Sequence, residues 1–485
     1  MFSKKLVGIK SKIVEEFVMT DKELYDSLSY ENENAYLKMS DSEKQEMTSL
    51  CDDYRAFLDS GKTERECVKA AVKLAKANGF IDIDTVDALK PGDKVYKLNR
   101  AKNIFMAVIG SEDIREGINI AGAHIDSPRL DLKQNPLYES TDMALLKTHY
   151  YGGLKKYQWP TIPLALHGVI YNTNREMVEI IIGEGENDPV FVITDLLPHL
   201  AKAQMAKKMT EGIEGENLNV LIGGMPIEAE DVKDKVKFSI LKILNARYGI
   251  TEKSFQSAEI EVVPAQKSKN VGLDECFVGA YGQDDRVCAY TTLRGILDEE
   301  NPKHTAVAIL VDKEEIGSTG NTGAQSAFMM MAITELIEKI NGSCSLTDLN
   351  KTISASACMS SDVSAAVDPN YLSVSEPNNA SFAGYGVAIM KYTGARGKYD
   401  SSDANAEFVY EIGKLMDDNG VIWQTGELGK VDQGGGGTIA QYVANLNMNV
   451  IDCGVPVLSM HSPFEVVAKS DVYMAYRAYK AFYKR

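Results

Sequence analysis

His124 and Asp126 stand two residues apart in AGAHIDSPRL, directly after the apolar run INIAGA. An imidazole and a carboxylate at that spacing make either a satisfied polar spot at a strand end or part of a metal site. The pair alone does not decide. Further capable side chains fall in similar places. Glu314 and Glu315 follow AVAILVDK, Asp362 follows ISASACMSS, and His461 follows VPVLSM. Asp284 lies in GAYGQDDRVCAY, a glycine-rich turn that opens a helical pattern. Each has an ordinary reading: a Glu pair is usually solvated, an Asp commonly caps a helix, and the His of MHSP can be a turn residue. Their shared position argues for more, because ligands of open α/β sheets bind just beyond the carboxyl ends of the strands.

The residue types also suit one chemistry. His124, Asp284, Glu315, Asp362 and His461 offer two imidazoles and three carboxylates, a donor set for a pair of borderline ions such as zinc or cobalt. One carboxylate can bridge the pair while each ion takes one histidine and one further carboxylate. Two ions roughly 3.5–4 Å apart can hold a water, polarise a carbonyl and lower the water's pKa to about 7. A carboxylate that binds no metal is then needed as general base. The adjacent Glu314 and Glu315 can supply a base and a ligand. Zinc, cobalt and manganese ligand sets overlap, so the donors do not select the metal.

Positioning these groups falls to a chain of 485 residues, 44% hydrophobic and 25% charged, with a formal net charge of −17. At about 100–200 residues per domain this is two to four domains. The acidic balance offers no global basic surface to displace counterions, which excludes a non-specific nucleic-acid binder. No run approaches the ~20 apolar residues of a membrane span. The stretch MFSKKLVGIKSKIVEEF has lysines but lacks the continuous apolar segment of a signal peptide. Seven cysteines, Cys51, Cys67, Cys276, Cys288, Cys344, Cys358 and Cys453, form no C-x-x-C and read as reduced, mostly buried thiols. The expectation is a cytoplasmic protein with neither nucleic-acid nor membrane partners.

Residues 1 to about 85 carry helical patterns, with a capping-box start read at Ser42 followed by Glu43 and Glu46. KVYKLNR, NIFMAVIG and INIAGAHI read as strands, the last two as apolar runs of a buried sheet. Between about 132 and 268, short strands such as EMVEIIIGE and AEIEVVPAQ surround a lysine-rich helix, DKVKFSILKILNARYG. From about 270, helices such as DRVCAYTTLRGILDEE alternate with strands TAVAILVD, KTISASACMS and VPVLSM. The expected class is α/β, a mixed central sheet flanked by helices and built from 1–131 and 269–485. A mainly-β domain, 132–268, is inserted into it.

Together, GAHIDSP, GAYGQDDR, DKEEIGS, SSDVSAAVDPNY and MHSPFEV resemble, in order, the motifs of the aspartyl-aminopeptidase family of di-zinc metallopeptidases. The likeness spans about 120 to 465. It implies a zinc-exopeptidase-like catalytic domain with two zinc ions per subunit. Their ligands would be His124, Asp284, Glu315, Asp362 and His461, with Asp284 bridging. It implies Glu314 as the general base toward a metal-bridging water, and Asp126 as the partner that orients His124. It further implies a cis Asp284–Asp285 bond and an inserted domain that mediates dimers, assembled into a closed tetrahedral dodecamer. TIPLALHG resembles the stretch that lends a histidine to a neighbour's active site, which would make His167 a catalytic or substrate-binding residue in trans. YGVAIMKYTG resembles the stretch that supplies a lysine to an acidic-side-chain pocket, which would make Lys391 a substrate ligand. QGGGGTIA resembles the glycine-rich stretch near the family's active site. The chain departs from the family at QDDR, where eukaryotic members carry Leu-Asp-Asn.

The expected function is metal-dependent release of the N-terminal residue of peptides, with Asp and Glu among the candidate residues. Carboxypeptidase or deacylase chemistry is the alternative on the same fold and metals. A catalytically silent metal-binding scaffold is a third reading, disfavoured because all five ligand positions and the base are present.

Overall fold

The structure, a computed structural model, describes residues 20–485. The amino-terminal stretch read above for a signal peptide lies outside the described residues. At the centre is a nine-stranded mixed sheet. In spatial order its strands are Ile81–Asp82, Lys94–Asn99, Asn103–Val108, Thr305–Val311, Ile118–His124, Ala357–Ser360, Asn449–Gly454, Val387–Met390 and Trp423–Thr425. Four neighbours, Thr305–Val311, Ile118–His124, Ala357–Ser360 and Asn449–Gly454, run parallel. Register pairs His124 with Val311 and Ser360 with Gly122. The segments that leave these three strands therefore carry Asp126, Glu314–Glu315 and Asp362 out at one edge.

Both faces of this sheet are buried, which is why its strands read as apolar runs rather than alternations. Ile104, Met106 and Val108 point into one core, and Phe105 and Ala107 into the other. The first core is closed by the helices Asp41–Ser60, Glu64–Ala77, Gln283–Leu297 and Lys469–Tyr483. The second is closed by Phe328–Asn341, which buries Phe328, Met329, Ala332, Ile333, Leu336 and Ile337, a stripe at helical spacing. Two local expectations shift. The capping box of Asp41–Ser60 starts at Ser40, with Glu43 as its partner, because Ser40 holds the extended backbone of a cap and Ser42 is already inside the helix. KTISASACMS splits into the end of the helix Leu346–Ala355 and the strand Ala357–Ser360. A second capping box, Ser345 with Asp348, starts that helix and overrides its β-branched residues.

A second, antiparallel sheet of six strands is ordered Met177–Ile182, Leu164–Tyr171, Glu259–Pro264, Arg129–Ser140, Met143–Tyr151 and Val220–Gly223. The helix Lys235–Tyr248 packs Val236, Ile240, Leu241 and Leu244 into its core. A third sheet of five short strands contains Phe277–Ala280, Pro456–Leu458 and Glu465–Ala468. The strand before His461 belongs to this small sheet, not to the central one. The apolar strand that fills the central position is Asn449–Gly454. Gly454 has no side chain to spare there, since a Cβ would lie 1.7 Å from the Asp362 carbonyl oxygen. All seven cysteines are free. Among the described residues no helix is long and apolar enough to cross a membrane.

One buried carboxyl in the central sheet gives a stability prediction. Asp452 is 1% exposed, and burial raises its pKa from 3.8 to about 6. A carboxyl raised in the folded state is no burden below its unfolded pKa and costs stability as pH rises through the folded value. Two pKa units correspond to about 3 kcal/mol, an order-of-magnitude figure. Asp452→Asn should leave the unfolding midpoint unchanged near pH 3.5 and raise it at pH 7. A midpoint that falls at pH 7 would mean that the charge of Asp452 is stabilising through Thr438, which donates to it at 2.7 Å.

Candidate metal centre

The centre is assembled from turns that leave the central and the small sheet. His124 closes its strand at 1% exposure. Glu314 and Glu315 begin a short 3-10 turn, set up by Lys313 in the left-handed region at φ 70°. Asp284 enters the helix Gln283–Leu297 through Gly282, φ 71°, and the Asp284–Asp285 peptide bond is cis. Gly282 accommodates the Arg286 guanidinium, which a Cβ would meet at 2.5 Å.

Asp284 is the hub. Its Oδ1 lies 3.2 Å from His124 Nε2 and its Oδ2 lies 3.0 Å from His461 Nε2. Asp362 Oδ1 stands 3.9 Å from His124 Nε2, and Glu315 Oε2 stands 3.6 Å from His461 Nε2. Glu314 Oε2 is 3.8 Å from His124 Nε2. The structure thus brings all five expected ligands and the expected base together. Potential ligand atoms form three overlapping sets within 4.8 Å: His124, Asp284 and Glu315; His124, Glu314 and Asp362; Asp284, Asp285 and Asp362.

This arrangement fits divalent ions on its own terms. The Nδ1 atoms of both imidazoles face acceptors, Asp126 for His124 and the Gly153 carbonyl at 2.7 Å for His461. Each ring therefore donates from Nδ1 and points Nε2 at a carboxylate oxygen, donating a proton there or, once deprotonated, offering its lone pair to a cation. Two acceptors at about 3 Å repel unless a cation or proton lies between them. Glu315 Oε1 is buried without any partner. The electrostatics agree. Burial above all, then the carboxylates of Asp284 and Asp126 against relief from His124, pushes Glu314 up to about 7. Burial and then Asp284 raise Glu315 well above the carboxylate range, and burial and then Asp285 do so for Asp362. For Asp284 burial acts upward, yet hydrogen bonds from both imidazoles outweigh it and hold the carboxyl low. For His461 burial acts downward, and Asp284 and Glu315 overcome it to give about 10. So many buried acids around two imidazoles call for positive charge.

Several supporting residues escaped the sequence reading. Glu465, 1% exposed, accepts from the Asp284 amide at 3.1 Å and the His461 amide at 2.7 Å, tying the two loops together. Its motif, MHSPFEV, was visible, but nothing local marks the glutamate as buried. Asp285 accepts from the His124 amide at 3.3 Å. Ser127 donates to the Asp284 carbonyl at 2.7 Å, and Arg286 donates to Ser127 at 3.1 Å. Asp126 does more than face His124, since it also accepts from the Glu314 and Glu315 amides.

A cavity of ≈ 450 Å³ opens beside the cluster, walled by Val363, Met390, Leu428, Met460, Gln441 and Tyr442 and by the glycines 435–437. His167 and Lys391 are not part of its wall. His167 is buried on Leu164–Tyr171 between Glu66, 2.7 Å away, and Glu184, 3.1 Å away. Lys391 follows Val387–Met390 and pairs with Asp403 at 2.5 Å, both side chains 45% exposed.

Comparison with known proteins agrees with this geometry. The family model described as aminopeptidase I zinc metalloprotease (M18) matches residues 57–483. A probable M18 family aminopeptidase 1 of Clostridium acetobutylicum is 49% identical over 456 residues, covering 93% of this chain and 98% of that one. The crystal structure of an M18-family aminopeptidase from Thermotoga maritima superposes with a TM-score of 0.91 at 45% identity, covering 94% of this chain and all of that one. The mApe1 dodecamer of S. cerevisiae, at 18% identity and a TM-score of 0.71, shares the fold. The chain belongs to the M18 family of aminopeptidase I zinc metalloproteases, and it is a metallo-aminopeptidase.

Proposed function

We propose that the enzyme works with two divalent ions per subunit, taken as zinc from the family, with cobalt or manganese able to use the same donors. His124 and Asp362 would hold one ion, His461 and Glu315 the other, and Asp284 both. The observation that carries this is the pair of Asp284 oxygens, each set against a different imidazole at 3.2 and 3.0 Å. Bound ions supply Lewis acidity toward the scissile carbonyl and toward water. The remaining chemistry belongs to the chain. Glu314, on the cavity wall with its amide anchored on Asp126, takes the proton of the attacking water and delivers it to the leaving amine. Asp126 and Gly153 hold the two imidazoles in the tautomer that faces the cluster.

The residue released is read from the cavity. Its wall carries Val363, Met390, Leu428 and Met460 and, among the described residues, no lysine or arginine. An acidic side chain there would lose water without gaining a cationic side chain as partner, and buried charge without one is costly. Neutral, extended side chains such as Leu and Met therefore suit it best. The acidic reading rests on Lys391, whose ammonium is engaged by Asp403. Hydrolysis of Leu-, Met-, Lys-, Asp- and Glu-nitroanilide tests both readings. The expected order places Leu and Met first, with kcat/KM about ten-fold or more above Asp, and Lys391→Ala leaves that order unchanged. Asp as the best substrate, with its rate lost in Lys391→Ala, would establish the acidic pocket instead. No release from any of them would reject the proposed site.

The assembly is proposed as homo-oligomeric, built on dimers through the inserted domain 132–268, with the yeast mApe1 dodecamer as precedent for twelve subunits. His167 would act in trans only in such an assembly. A cytoplasmic location is supported by the seven free thiols.

A further inference from the structure

The strand Met143–Tyr151 of the second sheet ends at Tyr151 and runs on into Gly152 and Gly153, and each of these three residues touches the metal centre. The Tyr151 hydroxyl donates to Asp126 Oδ2 at 2.7 Å. Asp126 in turn faces His124 Nδ1 at 3.2 Å and accepts from the Glu314 and Glu315 amides at 3.1 and 3.2 Å. Gly153 accepts from His461 Nδ1 through its carbonyl. Gly152, φ 72°, packs its backbone against Glu315, and a Cβ there would lie 3.2 Å from Glu315 Cβ. One strand end thus stands behind both imidazoles and the base–ligand turn.

That strand end is itself braced. Arg129 is the cross-strand partner of Tyr151, and its guanidinium lies 3.8 Å from the centre of the tyrosine ring. Arg129 pairs with Glu261 of the second sheet at 3.1 Å and with Asp131 at 2.9 Å. Its far side approaches Glu64, at the start of the helix Glu64–Ala77, at 3.8 Å. Arg129, Glu261 and Glu64 are all at least nine-tenths buried, so the ring cannot drift without uncovering paired charge.

We propose that Tyr151 is a positioning residue for the metal centre, and that the Tyr151–Gly153 strand end makes the second sheet a working part of it. Tyr151 fixes Asp126, and through it the plane of His124 and the direction of Glu314. Gly153 does the same for His461.

This rests on His124 and His461 being ligands, and the test separates the two ideas. Tyr151→Phe keeps the ring and its stacking and removes only the hydroxyl, with Tyr150→Phe, an exposed neighbour, as the control. Zinc affinity is measured by titration of metal-free protein, kcat and KM on Leu-nitroanilide, and ligand geometry by the visible spectrum of the cobalt-substituted enzyme. The expected result is an unchanged unfolding midpoint of the metal-free protein and zinc binding about 10-fold weaker. kcat falls about 10-fold with KM within two-fold, and the cobalt spectrum shifts, while Tyr150→Phe matches the parent. Gly152→Ala, which pushes on Glu315 from the same strand end, should shift the cobalt spectrum too. Parent-like zinc affinity and kcat in Tyr151→Phe would overturn the proposal. So would a raised KM with kcat intact, which would place Tyr151 against substrate. His124→Ala tests the underlying reading: if it binds zinc like the parent, the ligand assignment fails whatever Tyr151→Phe shows.

Discussion

Glu314→Gln should lower kcat by about 10³-fold or more while the enzyme keeps its full metal content. General acid–base groups contribute roughly 10²–10⁴-fold, and no other described carboxylate is free to replace this one. In the proposed centre Asp284, Glu315 and Asp362 would be taken up by the ions, and Asp126 is filled by two amides, a hydroxyl and His124. Among the described carboxylates on the cavity wall, Glu314 is the one that the proposed ligand set leaves free. Glutamine preserves its size, so the turn on Asp126 should survive and KM should change little. The check is steady-state kinetics together with metal analysis on the same preparation. More than about a tenth of the parent kcat would remove Glu314 from the role of base. Loss of an ion would make it a ligand instead.

Asp284→Ala should release both ions rather than one. Among the described residues Asp284 is the one carboxylate within 4 Å of both imidazoles, Oδ1 at 3.2 Å from His124 and Oδ2 at 3.0 Å from His461. Removing them leaves each site with one imidazole and one further carboxylate, too few donors for a site that normally needs three protein ligands. The loss of activity should therefore be total within detection, accompanied by a metal-to-protein ratio near zero after dialysis. Asp362→Ala should spare the site made by His461 and Glu315, so the two variants differ in stoichiometry. A variant of Asp284 that retained one tightly held ion would contradict the bridging role.

The parts of this centre that were legible in the sequence share a physical origin. His124, Glu314, Glu315 and Asp362 leave parallel strands buried on both faces, and such strands are unmistakable apolar runs. The residues that follow such runs fall at their carboxyl edge. His461 was legible as a residue but not by its sheet, because Val455, Pro456 and Val457 are as apolar and buried as a central strand would be. The supporting contacts were not legible. Glu465 meets Asp284 across 181 positions, and Tyr151 meets Asp126 from another sheet. A buried glutamate and a surface glutamate look alike in a sequence, and only the folded register shows which amides point at it. The same holds for His167, whose partner Glu66 lies 101 positions away and gives it a buried, doubly hydrogen-bonded place that its strand pattern does not announce.

The most direct test is metal stoichiometry followed during reactivation. The metal-free protein is titrated with zinc, and bound ions per chain and Leu-nitroanilide hydrolysis are recorded together. Two ions per chain, with activity absent before the titration and rising to its plateau as the second site fills, is the predicted result. Full activity with a single ion, or with none, would contradict a centre built on Asp284 between two imidazoles.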